Sequence, residues 1–204
     1  VKNVVKTKKL VAGQSVLLLD KEMASVVYPW QYGCKEVGAH LKIVDSPDWS
    51  DPGANWTSNI LGALDSTVAV LALPHAHWCN GSYIDLLAIS KHLQSLPADS
   101  RPLLIVDGTQ SVGALELDVA AIQPAFLACS VHKWLLGSYG LSLVYIDPGL
   151  VSSWEPLDHH EQARLGADQP QWDEEIPFGV DSSIVCGYPE AYMEGCLLYT
   201  SRRG

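Results

Sequence analysis

The sequence lacks most of what would tie it to a nucleic acid, a membrane or a disulfide scaffold. Basic residues are few: 13 Lys and Arg stand against 23 Asp and Glu, a formal charge of −10. A nucleic-acid partner would want a basic face, so the charge argues against that class. No apolar run is long enough to span a bilayer as a helix. The opening stretch VKNVVKTKKLVAG is basic but has no apolar signal core. It starts on Val1 rather than Met, which reads as a fragment. The cysteines, Cys34, Cys79, Cys129, Cys186 and Cys196, are odd in number and scattered, with no C-x-x-C. That pattern is neither a disulfide framework nor a zinc site, and it fits a reducing, cytoplasmic setting.

What is present is material for a core. Hydrophobic residues make up 48% of the chain and charged residues 18%, enough for one α/β domain or somewhat more. Short apolar runs end at turn signals, as buried parallel strands do. They are Ser15–Leu19, Leu41–Val44, Thr67–Leu73, Leu103–Val106 and Ala125–Cys129, with a further strand at Leu141–Ile146. Helical patterns lie between them. One runs from Glu22 to His40, with apolar positions Val26, Val27, Trp30 and Val37, Pro29 disturbing its first turn and Gly38 near its end. Another closes at Asn59–Leu64. A third, Ser82–Leu96, is capped by Ser82 and has Ile84, Leu87, Ala88 and Leu93 on its apolar face. Alternation of this kind predicts a mostly parallel sheet with helices on both faces.

The chemistry gathers on Leu103 to Gly137. One strand ends at Asp107-Gly108, with Gln110 just beyond; the next ends at Ser130, followed by His132 and Lys133. Strand C-termini are where open α/β sheets bind ligands. A lysine among polar anchors can form a Schiff base with an aldehyde. A carboxylate facing a pyridine nitrogen keeps that ring protonated and able to take up electrons. Together these are the needs of pyridoxal 5'-phosphate.

Asp107-x-x-Gln110 followed by Ser130-x-His132-Lys133 resembles the class V aminotransferase family of fold-type I pyridoxal phosphate enzymes. That family includes cysteine desulfurases, selenocysteine lyases, kynureninases and isopenicillin N epimerase-like proteins. The resemblance implies Lys133 as Schiff-base lysine, Asp107 on the pyridine nitrogen, Gln110 on the ring hydroxyl, and Ser130 and His132 on the phosphate. It implies the large domain of such an enzyme, truncated at both ends, over residues 1–195. It also implies a small amino-acid substrate, lyase or desulfurase chemistry, and a homodimer when the protein is whole. None of the five cysteines matches the desulfurase nucleophile.

Two positions depart from the pattern. Many members carry a His after the Glu that corresponds to Glu22, and its ring stacks on the cofactor; Met23 stands there. Its sulfur can pack on a ring but moves no proton. Trp78 stands where an Asn is common, so His77 or Trp78 is expected in the pocket. These departures lean toward an epimerase-like or kynureninase-like member; a non-catalytic remnant is the alternative of another class. No metal site is expected: His75 and His77 lack a third ligand, and His159-His160-Glu161 reads as a solvated loop. The last residues, 196–204, follow no structural pattern and read as a non-native tail.

Overall fold

Among the described residues five of the six strands run parallel, in the order β2-β1-β3-β4-β5-β6, and β6 alone runs antiparallel, against β5. In chain order the computed structural model has β1 (Ser15–Leu19), α1 (Ala24–Val37), β2 (His40–Val44), α2 (Trp56–Gly62), β3 (Val68–Pro74), α3 (Leu86–Ser95), β4 (Leu103–Asp107), α4 (Val119–Ile122), β5 (Phe126–Ser130), β6 (Ser142–Ile146) and α5 (Pro148–Val151). The residues described are 4, 5 and 8–151. They belong to the compact unit Val1–Val151. His159, His160, Glu161 and the tail 196–204 lie outside the described residues.

The strands form on the apolar runs. All of β1 and β3 is buried, as strands covered on both faces must be. Alternate residues then serve different cores. Leu17, Leu19, Leu71, Leu73, Leu104, Val106 and Leu127 face one way and join Trp56 and Ile60 of α2, Leu86, Ile89 and Leu93 of α3, and Ile122 of α4. Helix α1 packs on β1 and β2, and its buried Val26, Trp30 and Cys34 stand apart from that cluster. Right-handed crossovers require this division: the chain moves one way along the sheet through α1 and the other way through α2, α3 and α4.

Helix boundaries differ from the sequence reading in ways that capping explains. Helix α2 begins at Trp56 because Asn55 accepts the Ser58 N–H at 2.9 Å. Helix α3 begins at Leu86, capped by Asp85, which accepts the Ala88 N–H at 2.9 Å. Ser82 is not its cap; it accepts the Trp56 indole N–H at 2.7 Å. Starting later, α3 buries Leu86, Ile89, Ser90 and Leu93, and Leu87 turns outward. Pro29 sits inside α1 rather than in its first turn. Gly38 ends α1 in the left-handed conformation, φ 73°, as expected of a glycine cap.

Candidate active site

The sheet reverses its direction of winding between β1 and β3: the chain leaves β1 toward β2, and leaves β3 toward β4. A crevice outside the strand C-termini is expected at such a point. One is found there. Glu22 and Met23 from the turn after β1, Pro74, Ala76 and Trp78 from the end of β3, Asp107, Thr109 and Gln110 from the end of β4, and Lys133 from beyond β5 line a single pocket.

Each wall is fixed by local bonding. In register, Pro74 lies beside Asp107 and Asp107 beside Ala128. The Asp107 carboxylate accepts the Thr109 N–H at 2.9 Å, and the Thr109 hydroxyl accepts the Ser130 N–H at 3.3 Å. The ends of β4 and β5 are thereby tied together. Lys133 lines the pocket and, among the described residues, forms no ion pair. The turn carrying Glu22 and Met23 is held from β3: Trp78 donates its indole N–H to the Lys21 carbonyl at 2.6 Å, and His77 Nε2 lies 3.0 Å from the Asp20 carbonyl. Lys21 itself has φ 55°, a left-handed backbone that such holding makes tolerable.

The pocket thus brings together Met23, Trp78, Asp107, Gln110 and Lys133 of the residues read from the sequence. His77 does not line it. It is 2% exposed, stacked on Trp56 with ring centroids 5.3 Å apart. The Cys79 N–H approaches its Nδ1 at 3.4 Å. With Nδ1 accepting, Nε2 carries the proton and donates to Asp20. Both nitrogens are committed to the backbone, so His77 is a support behind the wall. Ser130 and His132 do not line the pocket either; the His132 ring lies against Tyr139, centroids 4.6 Å apart.

Glu22 and Thr109 were missed. Glu22 is 9% exposed. Its Oε1 accepts the Met23 N–H at 2.7 Å, while Oε2 is buried without a partner. Burial, with the nearby Asp107 charge adding to it and the Met23 N–H opposing, pushes its carboxyl up to about 7. The available signal was a carboxyl directly after a strand-ending turn. Cys129, by contrast, is a core residue whose thiol burial pushes up.

One glycine joins the two loops that carry Gln110 and Lys133. Gly113 has φ +95°, and a Cβ there would stand 2.8 Å from the Trp134 carbonyl oxygen. Gly113→Ala should cost about 1–2 kcal/mol from the left-handed backbone alone, plus displacement of Trp134 and of Lys133 beside it. A urea midpoint equal to that of the parent chain would refute this close approach.

The sequence model of the family described as Aminotransferase class-V matches residues 1–163. The chain belongs to this family. A probable cysteine desulfurase of Mycoplasma genitalium is 30% identical over 157 residues, covering 77% of this chain and 35% of its own length. An isopenicillin N epimerase of Streptomyces clavuligerus is 24% identical, covering 72% and 36%. The chain therefore spans about a third of the length of the curated relatives it matches. Among solved structures, a cystine C-S lyase complexed with cysteine persulfide aligns with TM-score 0.74 at 21% identity, over 100% of this chain and 54% of its own. An apo cysteine desulfurase from Thermococcus onnurineus aligns with TM-score 0.72 at 20% identity, over 95% and 46%. These likenesses establish the fold, the large domain of a fold-type I pyridoxal phosphate enzyme. Among the described residues no helix is long and apolar enough to cross a membrane, and no group of three or more His, Cys, Asp or Glu could hold a metal ion.

Proposed function

We propose that this chain is the cofactor-binding part of a pyridoxal phosphate enzyme that acts on a small amino acid, of lyase or desulfurase type. The observation that carries this is the convergence of Lys133, Asp107 and Gln110 with Met23 on one pocket at the strand C-termini. The donor set fits the group: an amine for its aldehyde, a carboxylate for its ring nitrogen, an amide for its ring hydroxyl and a thioether for its ring face. When bound, the cofactor supplies an electron sink for charge developing at the substrate α-carbon.

The residues divide the remaining work. Asp107, steadied by the Thr109 N–H, keeps a proton on the ring nitrogen. Gln110 orients the ring through its hydroxyl. Met23 packs on the ring through its polarizable sulfur and takes no part in proton transfer. Ser130 and His132, at and just beyond the end of β5, lie outside the pocket lining and are assigned to the phosphate by the family pattern alone. Lys133 would hold the cofactor by its aldehyde group and would move a proton at the substrate α-carbon. The whole protein is proposed to work as a homodimer in the cytoplasm.

A second reading, epimerase-like or kynureninase-like, is favoured by Met23 in place of the stacking histidine and by Trp78 in the pocket wall. The likeness to an isopenicillin N epimerase supports it.

Two measurements test the site. Pyridoxal phosphate added to the chain, followed by borohydride reduction and peptide mapping, should give a pyridoxyl label on Lys133. Label scattered over surface lysines, or none, would leave a non-catalytic remnant as the better description. Asp107→Ala should weaken binding of pyridoxine 5'-phosphate, which has no aldehyde, by roughly 10- to 150-fold, the loss of one hydrogen bond to a charged group. An unchanged dissociation constant would remove Asp107 from the role.

A further inference from the structure

Among the described residues Glu22 is the only buried acidic side chain. An orphan buried carboxyl oxygen such as its Oε2 is uncommon and needs a reason. The packed side of Glu22 offers none. Its remaining surface faces the pocket, where Asp107 and Lys133 are the other charged groups. The end of β3 contributes Pro74, Ala76 and Trp78, all uncharged. On its own turn, Asp20 has Lys21 3.8 Å away and His77 on its carbonyl.

We infer that Glu22 is a positioning residue of the pocket, a carboxyl that holds a proton until a protonated pyridine ring is seated on Asp107 and then releases it to solvent. This rests on the cofactor reading above. A cation entering beside a buried neutral acid favours the ionised form. The ionised Oε2 then gains a positive partner, and ring and carboxylate orient each other. A second carboxylate in the same pocket would favour the protonated ring more than Asp107 alone.

The sign follows. Below about pH 7 Glu22 enters the reaction protonated, so capture of the ring releases a proton and affinity rises with pH, by at most about tenfold per unit. Above that range the proton is already gone and the dependence flattens. The probe is pyridoxine 5'-phosphate, which cannot condense with Lys133 and so leaves that amine unchanged. Calorimetric titration in buffers of different ionisation enthalpy counts the protons. At about pH 6 the parent chain should release close to one proton more than Glu22→Gln, and at about pH 8 the two should agree. Phosphate ionisation is common to both and cancels.

An independent readout uses the parent chain alone. The infrared band of a protonated carboxylic acid should be present at about pH 6 and vanish when the probe binds. Binding with that band unchanged, or with equal proton counts in the two chains, overturns the inference and leaves the cofactor reading intact. Failure of the parent chain to bind the probe overturns both.

Discussion

Lys133→Ala should abolish covalent capture of pyridoxal phosphate outright. Lys133 is the only amine lining the pocket among the described residues. Lys21, the nearest lysine in the turn after β1, is exposed and sits beside Asp20. No other wall residue has a nucleophilic nitrogen: Gln110 and Trp78 carry an amide and an indole, neither of which condenses with an aldehyde. The pyridoxyl label on this peptide should therefore vanish, while non-covalent binding of pyridoxine 5'-phosphate survives, because Asp107 and Gln110 remain. Lys133→Arg sharpens the test. It keeps the positive charge but offers a guanidinium that stays protonated, so it too should give no label. In a full-length protein that turns over an amino acid, loss of the proton-moving amine should lower the rate by roughly 10²–10⁴-fold. Equal labelling in the Lys133→Ala chain would discard the role.

Trp56→Ala should be among the most damaging single changes to the fold. Trp56 is 1% exposed and heads α2 in the main core. Its ring stacks on His77 and meets the Trp49 ring edge-on at 6.3 Å, and its N–H is bonded to Ser82. Truncating a buried tryptophan costs about 3–5 kcal/mol, a large part of the 5–15 kcal/mol that typically holds a domain together. The damage also has a direction. His77 loses the ring that holds it, and with it the bond to the Asp20 carbonyl that steadies the turn of Glu22 and Met23. Urea denaturation should show the midpoint falling accordingly. Trp56→Phe, which keeps most of the apolar ring but drops the N–H, should lose only about 1–1.5 kcal/mol. A Trp56→Ala chain as stable as its parent would contradict the packing described for α2.

The strands were the legible part of this sequence. Ser15–Leu19 was read to the residue, and β3 and β4 within one, because a strand covered on both faces is a continuous apolar run that ends where the chain must turn. Asp107, Gln110 and Lys133 were legible for the same reason: each follows such an ending. The caps were not. Ser82 and Asp85 are both good capping residues, and what separates them is a tryptophan far away in the chain that claims the Ser82 hydroxyl. The burial of His77 was hidden too. Alternation along an extended strand says which residues share a side, but not that the side is already filled by Trp56. Glu22 reads as an ordinary first-turn acid, since nothing local reveals that it is buried in a pocket wall shared with residues at the ends of β3 and β4.

Parallel pairing also sets when the pocket can exist during folding. No two neighbouring parallel strands are joined by a hairpin; each pair waits on a crossover through a helix or a long loop. Glu22, Trp78, Asp107 and Lys133 arrive on separate excursions of the chain, so no single strand end carries the whole site. Contacts of such long sequence separation form slowly, and under the proposed function a nascent chain could not hold the cofactor until β5 has docked against β4. Once seated, a ligand that touches the ends of β1, β4 and β5 would act as a clasp on late-forming contacts. Its benefit would then fall mainly on the rate at which the finished sheet comes apart, and less on the rate at which it assembles.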